Sequence, residues 1–482
     1  MRKIDTAQQE PLFGVAATRD LEQDLQKQLP PHTLMQRAGL AAANLALAMA
    51  PHARCIWIAC GPGNNGGDGL ETACQLHLMG RAVVVTWLGN PAQATPDSLA
   101  SYQMAKLAGV AFTDTPPPNF DLCIDALLGI GASVRAPQGV MAAWIALMNA
   151  SASPILALDL PTGLNADSGQ VSTPHVRATH TLSLLTLKPG LYTAHGRDVS
   201  GTVWLDGLGL NQLDGAHMNP SAYLSAYPVP LKRLHASHKG SYGDVAVVGG
   251  APGMTGAALL AASAALYAGA GRVFISLLDT EALKVDISQP ELMFRPFNQL
   301  NLAAMVVVCG CGGGAEVETV MSELLASPSP LVLDADALNV LAKSTPLQTL
   351  LLLRSESSFA TVLTPHPLEA ARLLKITVQE IQSNRLHAAQ QLVGQFGCVV
   401  VLKGSGTVIA APGQVPFINP TGNGKLATPG SGDVLAGLVG ARMAGGQAPF
   451  AAARDAVFRH GEVADQWPPG LALSAIALAR SL

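Results

Sequence analysis

Residues 55–80 read CIWIACGPGNNGGDGLETACQLHLMG. A short apolar run stops at a glycine-rich stretch and a 3.6-residue pattern starts beyond it, which predicts strand, glycine loop and helix in a parallel α/β sheet. Outward from this stretch the same alternation recurs between Arg54 and about Asp206, with RAVVVTWLG, a helix through SLASYQMAKLAG, then DLCIDALLG, ILALDL and THTLSLLTL. Thr18 to Met49 reads as largely helical and is expected to pack on that sheet. Residues 211–230, NQLDGAHMNPSAYLSAYPVP, lose periodicity and gather Pro, Asn and Gly, as a linker does. The pattern then restarts with VAVVGG, VFISLL, AMVVVCG, LVLDAD, TVLTP, CVVVLKG and GTVIAA. Two α/β domains are therefore expected, 1–227 and 228–482, without an internal repeat between them.

Composition agrees with buried parallel sheets. Charged residues are 13% and hydrophobic residues 49% of the 482, a balance that suits strands covered by helices on both faces. A net charge of −4 with 5% aromatics lacks the basic footprint and stacking surface of nucleic-acid binding. The seven cysteines form no CxxC pair and lie mostly in apolar runs, so reduced, buried thiols are expected. MRKIDTAQQEPLFG has no apolar signal region, so a cytoplasmic chain is expected. Val245 to Gly271 carries no charge, but its GGAPGMTG interruption predicts strand, glycine loop and helix rather than a membrane span. Low charge and an apolar helical surface favour a homo-oligomer.

GPGNNGGDG, residues 61–69, places backbone N–H groups and a helix N-terminus where a phosphate could sit. Gly61, Gly63 and Gly66 satisfy GxGxxG, yet no acidic residue follows the next strand before Asp97, which disfavours redox use of NAD. Asn64, Asn65 and Asp68 add more polar capacity than a phosphate cradle needs. Asp125 and Asp159 close strands at the sheet edge where open α/β folds bind ligands. Their oxygens suit a hard cation better than a soft one.

GPGNNGGDG, DALLGIG, DLPTGLNADSG and LKPGLYTAHGRDVSG resemble the NAD(P)H-hydrate epimerase family across most of residues 30–210. The resemblance implies a Rossmann-like domain that interconverts the R and S forms of the C6 hydrate. It implies that the loop Asn64, Asn65, Gly66, Gly67 and Asp68 holds the substrate, and that the segment Gly129, Ile130, Gly131, Ala132, Ser133, Val134 and Arg135 contacts the nucleotide. It implies further that potassium is bound by Asn65, Asp125 and Thr162, and that Asp159 stands beside the hydrated nicotinamide. The reaction needs a group able to move protons near neutral pH, and Asp159 is the choice for it. Gln36 in LMQRAG departs from the Glu that the family often carries.

In the second half, TGNGKLATPGSGDVLAGLVGA, residues 421–441, carries the most specific signal. Gly430 and Gly432 permit tight backbone approach, and a helix starting near Gly432 leaves N–H groups as an anion hole beside Asp433. A base next to stabilised phosphoryl charge is the geometry of transfer to a hydroxyl. The turn Lys403 to Thr407 suits a nucleotide phosphate. Asp334, Asp336, Asn339 and His366 follow strands on what should be the same face, and no P-loop is present.

These motifs resemble the ribokinase-like NAD(P)H-hydrate dehydratase family over roughly residues 230–480. The resemblance implies phosphorylation of the C6 hydroxyl of the S hydrate by ADP or ATP, loss of phosphate and return of NADH or NADPH, with AMP released from ADP. By motif, Asp433 is the catalytic base; Lys403, Gly404, Ser405, Gly406, Thr407 and Gly432 bind the adenine nucleotide; Ala257, Gly314 and His366 contact the hydrate along with Asp433. Leu368 stands where the family often has Gly. Mg2+ is expected with the nucleotide, without a compact carboxylate cluster to fix it beforehand. Two other readings keep part of this pattern: a small-molecule kinase with an accessory nucleotide-sensing domain, and a first half that binds ligand without catalysis.

Overall fold

The computed structural model describes residues 1–132, 136–210, 219–229, 233–282 and 284–482. The chain divides into two compact units, Met1–Asp5 with Glu10–Ala222, and Thr6–Gln9 with Tyr223–Leu482.

The first unit is built on eight strands: β1 (Arg2–Lys3), β2 (Ile56–Cys60), β3 (Val83–Trp87), β4 (Ala111–Phe112), β5 (Leu122–Ala126), β6 (Ile155–Leu158), β7 (His180–Leu184) and β8 (Thr202–Asp206). They lie in the order β1-β8-β7-β6-β5-β2-β3-β4, all parallel except β1 against β8. Chain order runs outward in opposite directions from β2 and β5. The crevice beyond their C-terminal ends is thus the switch point at which open α/β sheets receive ligands.

Alternation along β2 explains why the strand reads as a continuous apolar run. Ile56 and Ile58 join one core with Ala42, Leu45, Leu70 and Ala73, while Trp57 and Ala59 join another on the opposite face with Trp144, Ile145 and Met148. Trp57 is fully buried and its Nε1 donates to Thr86 Oγ1 at 2.9 Å, satisfying the one polar atom such a side chain brings inside. The covering helices are α1 (Val15–Gln28), α2 (Thr33–Met49), α3 (Asn64–Leu78), α4 (Pro96–Ala108) and α5 (Gly139–Ala150).

In the second unit the strands are β9 (Ala222–Leu224, of which Tyr223 and Leu224 belong here), β10 (Asp244–Gly249), β11 (Arg272–Leu277), β12 (Met293–Phe294), β13 (Val306–Cys309), β14 (Leu331–Leu333), β15 (Thr361–Leu363), β16 (Val399–Leu402), β17 (Val408–Ala410) and β18 (Phe417–Ile418). They follow the order β12-β11-β10-β13-β14-β15-β16-β17-β18-β9. Pairing is parallel from β12 to β16 and antiparallel for β16-β17-β18. Strand β9 falls inside the stretch read from sequence as linker, and Tyr223 pairs with Phe417.

The uncharged run Val245 to Gly271 is β10 followed by helix α6 (Thr255–Tyr267). Its small residues serve close packing. A Cβ on Gly437 would lie 2.0 Å from the Ala261 carbonyl oxygen, so only glycine lets the later helix Ser431–Ala444 pass at that distance. No helix among the described residues is long and apolar enough to cross a membrane. All seven cysteines are free, and six of them are buried.

Candidate active sites

The sequence reading of GPGNNGGDG as a loop ahead of a helix is corrected by the structure. Helix α3 already begins at Asn64, with Gly63 as its N-cap, so Asn64 through Asp68 form its opening turns. Two consecutive glycines argue against helix on propensity, but here they are required by proximity. A Cβ on Gly66 would sit 1.9 Å from the Gly61 carbonyl oxygen, and one on Gly67 would sit 2.6 Å from the Met35 methyl. Gly66→Ala is therefore expected to lower stability by about 1–3 kcal/mol through a forced backbone shift. Equilibrium unfolding in urea checks this, and an unchanged midpoint would contradict the packing described.

At the switch point the first unit encloses a cavity of about 440 Å³ whose walls include Asn64, Asn65, Asp68, Gly129, Ile130 and Asp159. Gly131 also reaches it. Asp159 has φ +65°, a left-handed conformation that is costly for a residue with a Cβ. What holds it is a set of fixed bonds. The Lys188 ammonium donates to Asp159 Oδ1 at 2.5 Å, to Ser183 Oγ at 3.2 Å and to the Leu184 carbonyl at 2.8 Å, and Ile130 N donates to Asp159 Oδ2 at 3.0 Å. Lys188 is fully buried, and its three donors are all used. Gly129 permits this closeness, since a Cβ there would lie 2.9 Å from Asp159 Oδ2 and 3.3 Å from Asn65 Cγ.

Asp125 lies beneath that turn, wholly buried. It accepts from Thr162 N (2.8 Å), Thr162 Oγ1 (2.7 Å) and Leu127 N (3.2 Å). Burial pushes its carboxyl up to about 6, against the pull of those bonds. Leu128 N donates to Thr162 Oγ1 at 3.1 Å, which ties the Thr162 turn to the Leu128–Gly129 segment that packs on Asn65. Both polar atoms of the Asn65 amide are buried with no hydrogen-bond partner among the described residues. An orphaned, buried amide oxygen is a hard donor of the kind a monovalent cation takes. Asp68 is pushed well above the usual carboxylate range by burial first, then by Asp159 and Glu22. Ala132 lies at the end of a short 3-10 turn, and Ser133, Val134 and Arg135 lie outside the described residues.

The second unit gathers its polar residues at the C-terminal ends of β13 to β16. Asp334 caps helix α7 (Ala335–Lys343) and accepts from Thr364 Oγ1 at 2.8 Å and from Lys403 Nζ at 2.6 Å. Lys403, read from sequence as a phosphate ligand, is thus held against a buried carboxylate. Its Nζ is nevertheless 3.4 Å from where a Cβ on Gly432 would stand, at the N-terminus of helix α8 (Ser431–Ala444). That helix begins one residue before Gly432, capped by Gly430 at φ +88°, and Asp433 lies in its first turn. Burial pushes the Asp433 carboxyl up to about 7, Asp334 adds to the rise, and a hydrogen bond from the Cys311 thiol opposes it.

Asp336 accepts from Gly314 N at 2.9 Å, and Ala257 packs on the same glycine loop at Gly312. His366 caps the helix Pro367–Leu374: its Nδ1 accepts from Leu368 N and Glu369 N, while its own N–H donates to Glu369 Oε2 at 2.8 Å. Leu368 is exposed beside it. The Lys403–Thr407 turn joins β16 to β17, with Gly404 at φ +141° and Ser405 exposed. Thr407 Oγ1 donates to the Gly404 carbonyl at 3.0 Å and so closes the turn.

Four functional supports escaped the sequence reading. Lys188 sits at the end of an apolar run, where a lone charge is the available signal. Glu22 lines the first cavity from α1. Arg385 is buried under the Lys403 turn and donates from Nη2 to the Leu402 and Lys403 carbonyls at 3.1 Å each. His460, pushed down to about 4 by burial, donates from Nε2 to the Ser431 carbonyl at 2.9 Å and so anchors the first turn of α8.

Comparisons with known proteins match the two halves of the chain to different family models. A family model described as NAD(P)H-hydrate dehydratase matches residues 245–479, and one described as YjeF-related protein N-terminus matches residues 31–190. The chain is 36% identical over 473 residues to a bifunctional NAD(P)H-hydrate repair enzyme of Coxiella burnetii, covering 94% of each. It is 37% identical to the Escherichia coli protein of that description, over 90% of this chain and 85% of that one. An ADP-dependent (S)-NAD(P)H-hydrate dehydratase of Neisseria meningitidis is 43% identical over 48% of this chain and 80% of its own length. Among solved structures, an ADP/ATP-dependent NAD(P)H-hydrate dehydratase from Bacillus subtilis, co-crystallized with ATP and Mg2+, aligns with a TM-score of 0.44 and 30% identity over 52% of this chain and 91% of that one.

Proposed function

The chain belongs to the family of bifunctional NAD(P)H-hydrate repair enzymes, and from that membership we propose how its two units divide the work. The first unit interconverts the R and S hydrates of NADH and NADPH. The second unit uses ADP or ATP to dehydrate the S form and return the reduced cofactor.

The observation that carries this reading is the setting of Asp433. A carboxyl brought near neutrality by burial, at a helix N-terminus beside Lys403, can accept a proton where phosphoryl charge develops. Asp433 takes the proton of the C6 hydroxyl as its oxygen bonds to phosphorus and the bond to the departing AMP breaks. The phosphate ester then leaves from C6, the C5 proton is lost, and the C5=C6 double bond of the dihydronicotinamide is restored. The N–H groups at the start of α8 and the Lys403 turn, supported from below by Arg385, hold the nucleotide phosphates. A bound Mg2+ supplies neutralisation of phosphate charge. Cys311, Asp334 and Asp433 bring three ligand atoms within 4.8 Å of one another, but a thiol suits a hard cation poorly and Asp334 is engaged by Lys403. The residues therefore fit a magnesium ion that arrives with the nucleotide.

In the first unit Asp159 is the proton-transfer group of the epimerase, and Asn64 through Asp68 with Gly129 to Gly131 bind the hydrate. Asn65, Asp125 and Thr162 would hold K+, which would supply a fixed positive charge to the site. The partners in this reading are small molecules, in keeping with a net charge of −4.

Product analysis tests the reading. Equal yields of NADH, AMP and orthophosphate from S hydrate and ADP are expected, whereas a stable phosphorylated product would mean a kinase. The pH profile adds an independent check. A general base works when ionised, so the dehydration rate should rise as pH passes through about 7 and level off above it. A rate that falls across the same interval would contradict Asp433 as base.

A further inference from the structure

We propose that Glu22, on α1, is the second proton-transfer group of the epimerase site and serves the ring face that Asp159 does not reach. This deepens the functional reading above and rests on it. Inverting a carbinolamine carbon by loss and return of its hydroxyl needs a donor where the oxygen departs and an acceptor where water arrives. A single carboxylate cannot serve both faces of a ring.

Asp159 is fixed through both oxygens, by Lys188 and by Ile130 N. Both of those oxygens accept hydrogen bonds there. Glu22 enters the same cavity from a different element, and it makes no hydrogen bond or ion pair among the described residues. Its side chain is thus free to meet a ligand. The charged groups facing it are Asp159, Lys188, Arg19 on its own helix, Asp97 from α4 and Asp68 from α3. Burial, then Asp159, raises its carboxyl, with Lys188 and Arg19 opposing. Two carboxyl groups thus enter one cavity from different elements, one fixed by an ammonium and the other left for a ligand, which is the placement an acid and base pair needs. Glu22 also precedes residues 31–190 matched by the family model, so no motif points to it.

The step balances as follows. The Glu22 proton passes to the C6 oxygen, the C6–O bond breaks with its electron pair leaving on water, and the N1 lone pair forms N1=C6. Water then adds to the opposite face: its oxygen bonds to C6, the π pair returns to N1, and its proton passes to the Asp159 carboxylate. Proton exchange with water resets both groups, and the reverse conversion exchanges their roles.

The test uses the full chain with purified R NADH hydrate, without ADP, in normal and oxygen-18 water. Glu22→Gln is expected to lower the epimerisation kcat by about 100-fold or more, at a KM within about threefold of the parent. The parent should lose rate on the alkaline side as Glu22 ionises, and Glu22→Gln should lack that limb. Glu22→Asp should recover part of the rate. ADP-dependent dehydration of S hydrate by Glu22→Gln should match the parent, which reports an intact chain. The S product of the parent should carry solvent oxygen. An active Glu22→Gln, or a loss confined to KM, overturns the role of Glu22; unlabelled product overturns the loss-and-return route. A parent chain that epimerises nothing overturns the functional reading itself.

Discussion

Replacing Asp433 by Asn is expected to lower dehydration of S hydrate about 100- to 10,000-fold, the range over which a positioned general base contributes, while epimerisation stays at the parental rate. The substitution keeps the shape of the side chain in the first turn of α8 and removes its ability to take the hydroxyl proton. Burial and Asp334 already hold this carboxyl near the point where it exchanges protons at neutral pH, so the site loses a tuned acceptor rather than a bystander. The nucleotide contacts through the helix N-terminus and the Lys403 turn remain, so the KM for ADP should change little. Steady-state kinetics on S hydrate, with R-to-S conversion followed separately, checks both halves. Loss of both activities would contradict independent sites.

Asp159→Asn should do the reverse, with epimerisation reduced by a similar factor and dehydration of S hydrate retained. It should also cost stability, because Lys188 is fully buried and would face an amide instead of its counter-charge. Breaking one side of a buried pair costs about 3 kcal/mol or more. The double variant Asp159→Asn/Lys188→Met removes the stranded charge and should regain much of that stability without regaining epimerisation. Urea midpoints and epimerisation rates of the two variants together separate the structural role from the chemical one. Parental epimerisation by Asp159→Asn would leave the first unit as a binding module.

The α/β architecture is readable in the chain because ILALDL, CIWIAC and VAVVGG sit in strands buried on both faces, where apolar runs need no alternation. Asp159 and Asp125 could be placed for a related reason, since a carboxylate ending such a run falls at the sheet edge. The start of α3 was not readable: glycines at 66 and 67 signal a loop on propensity, and only the approach of the Gly61 carbonyl shows why they are helical. Lys188 meets Asp159 across 29 residues of chain after the turn beyond β7 folds back. Glu22 sits among ordinary surface acids in DLEQD, and no periodicity marks a face that borders a cavity. The bond from Thr407 Oγ1 to the Gly404 carbonyl is likewise a detail of turn geometry that residue type alone does not carry.

The most direct test of two cooperating activities follows the reduced-nicotinamide absorbance while the protein meets a mixture of R and S NADH hydrate with ADP and Mg2+. Complete recovery of NADH, dependent on ADP, is the expected result. Recovery that stops at the S fraction would contradict the epimerase, and no recovery at all would contradict the account as a whole.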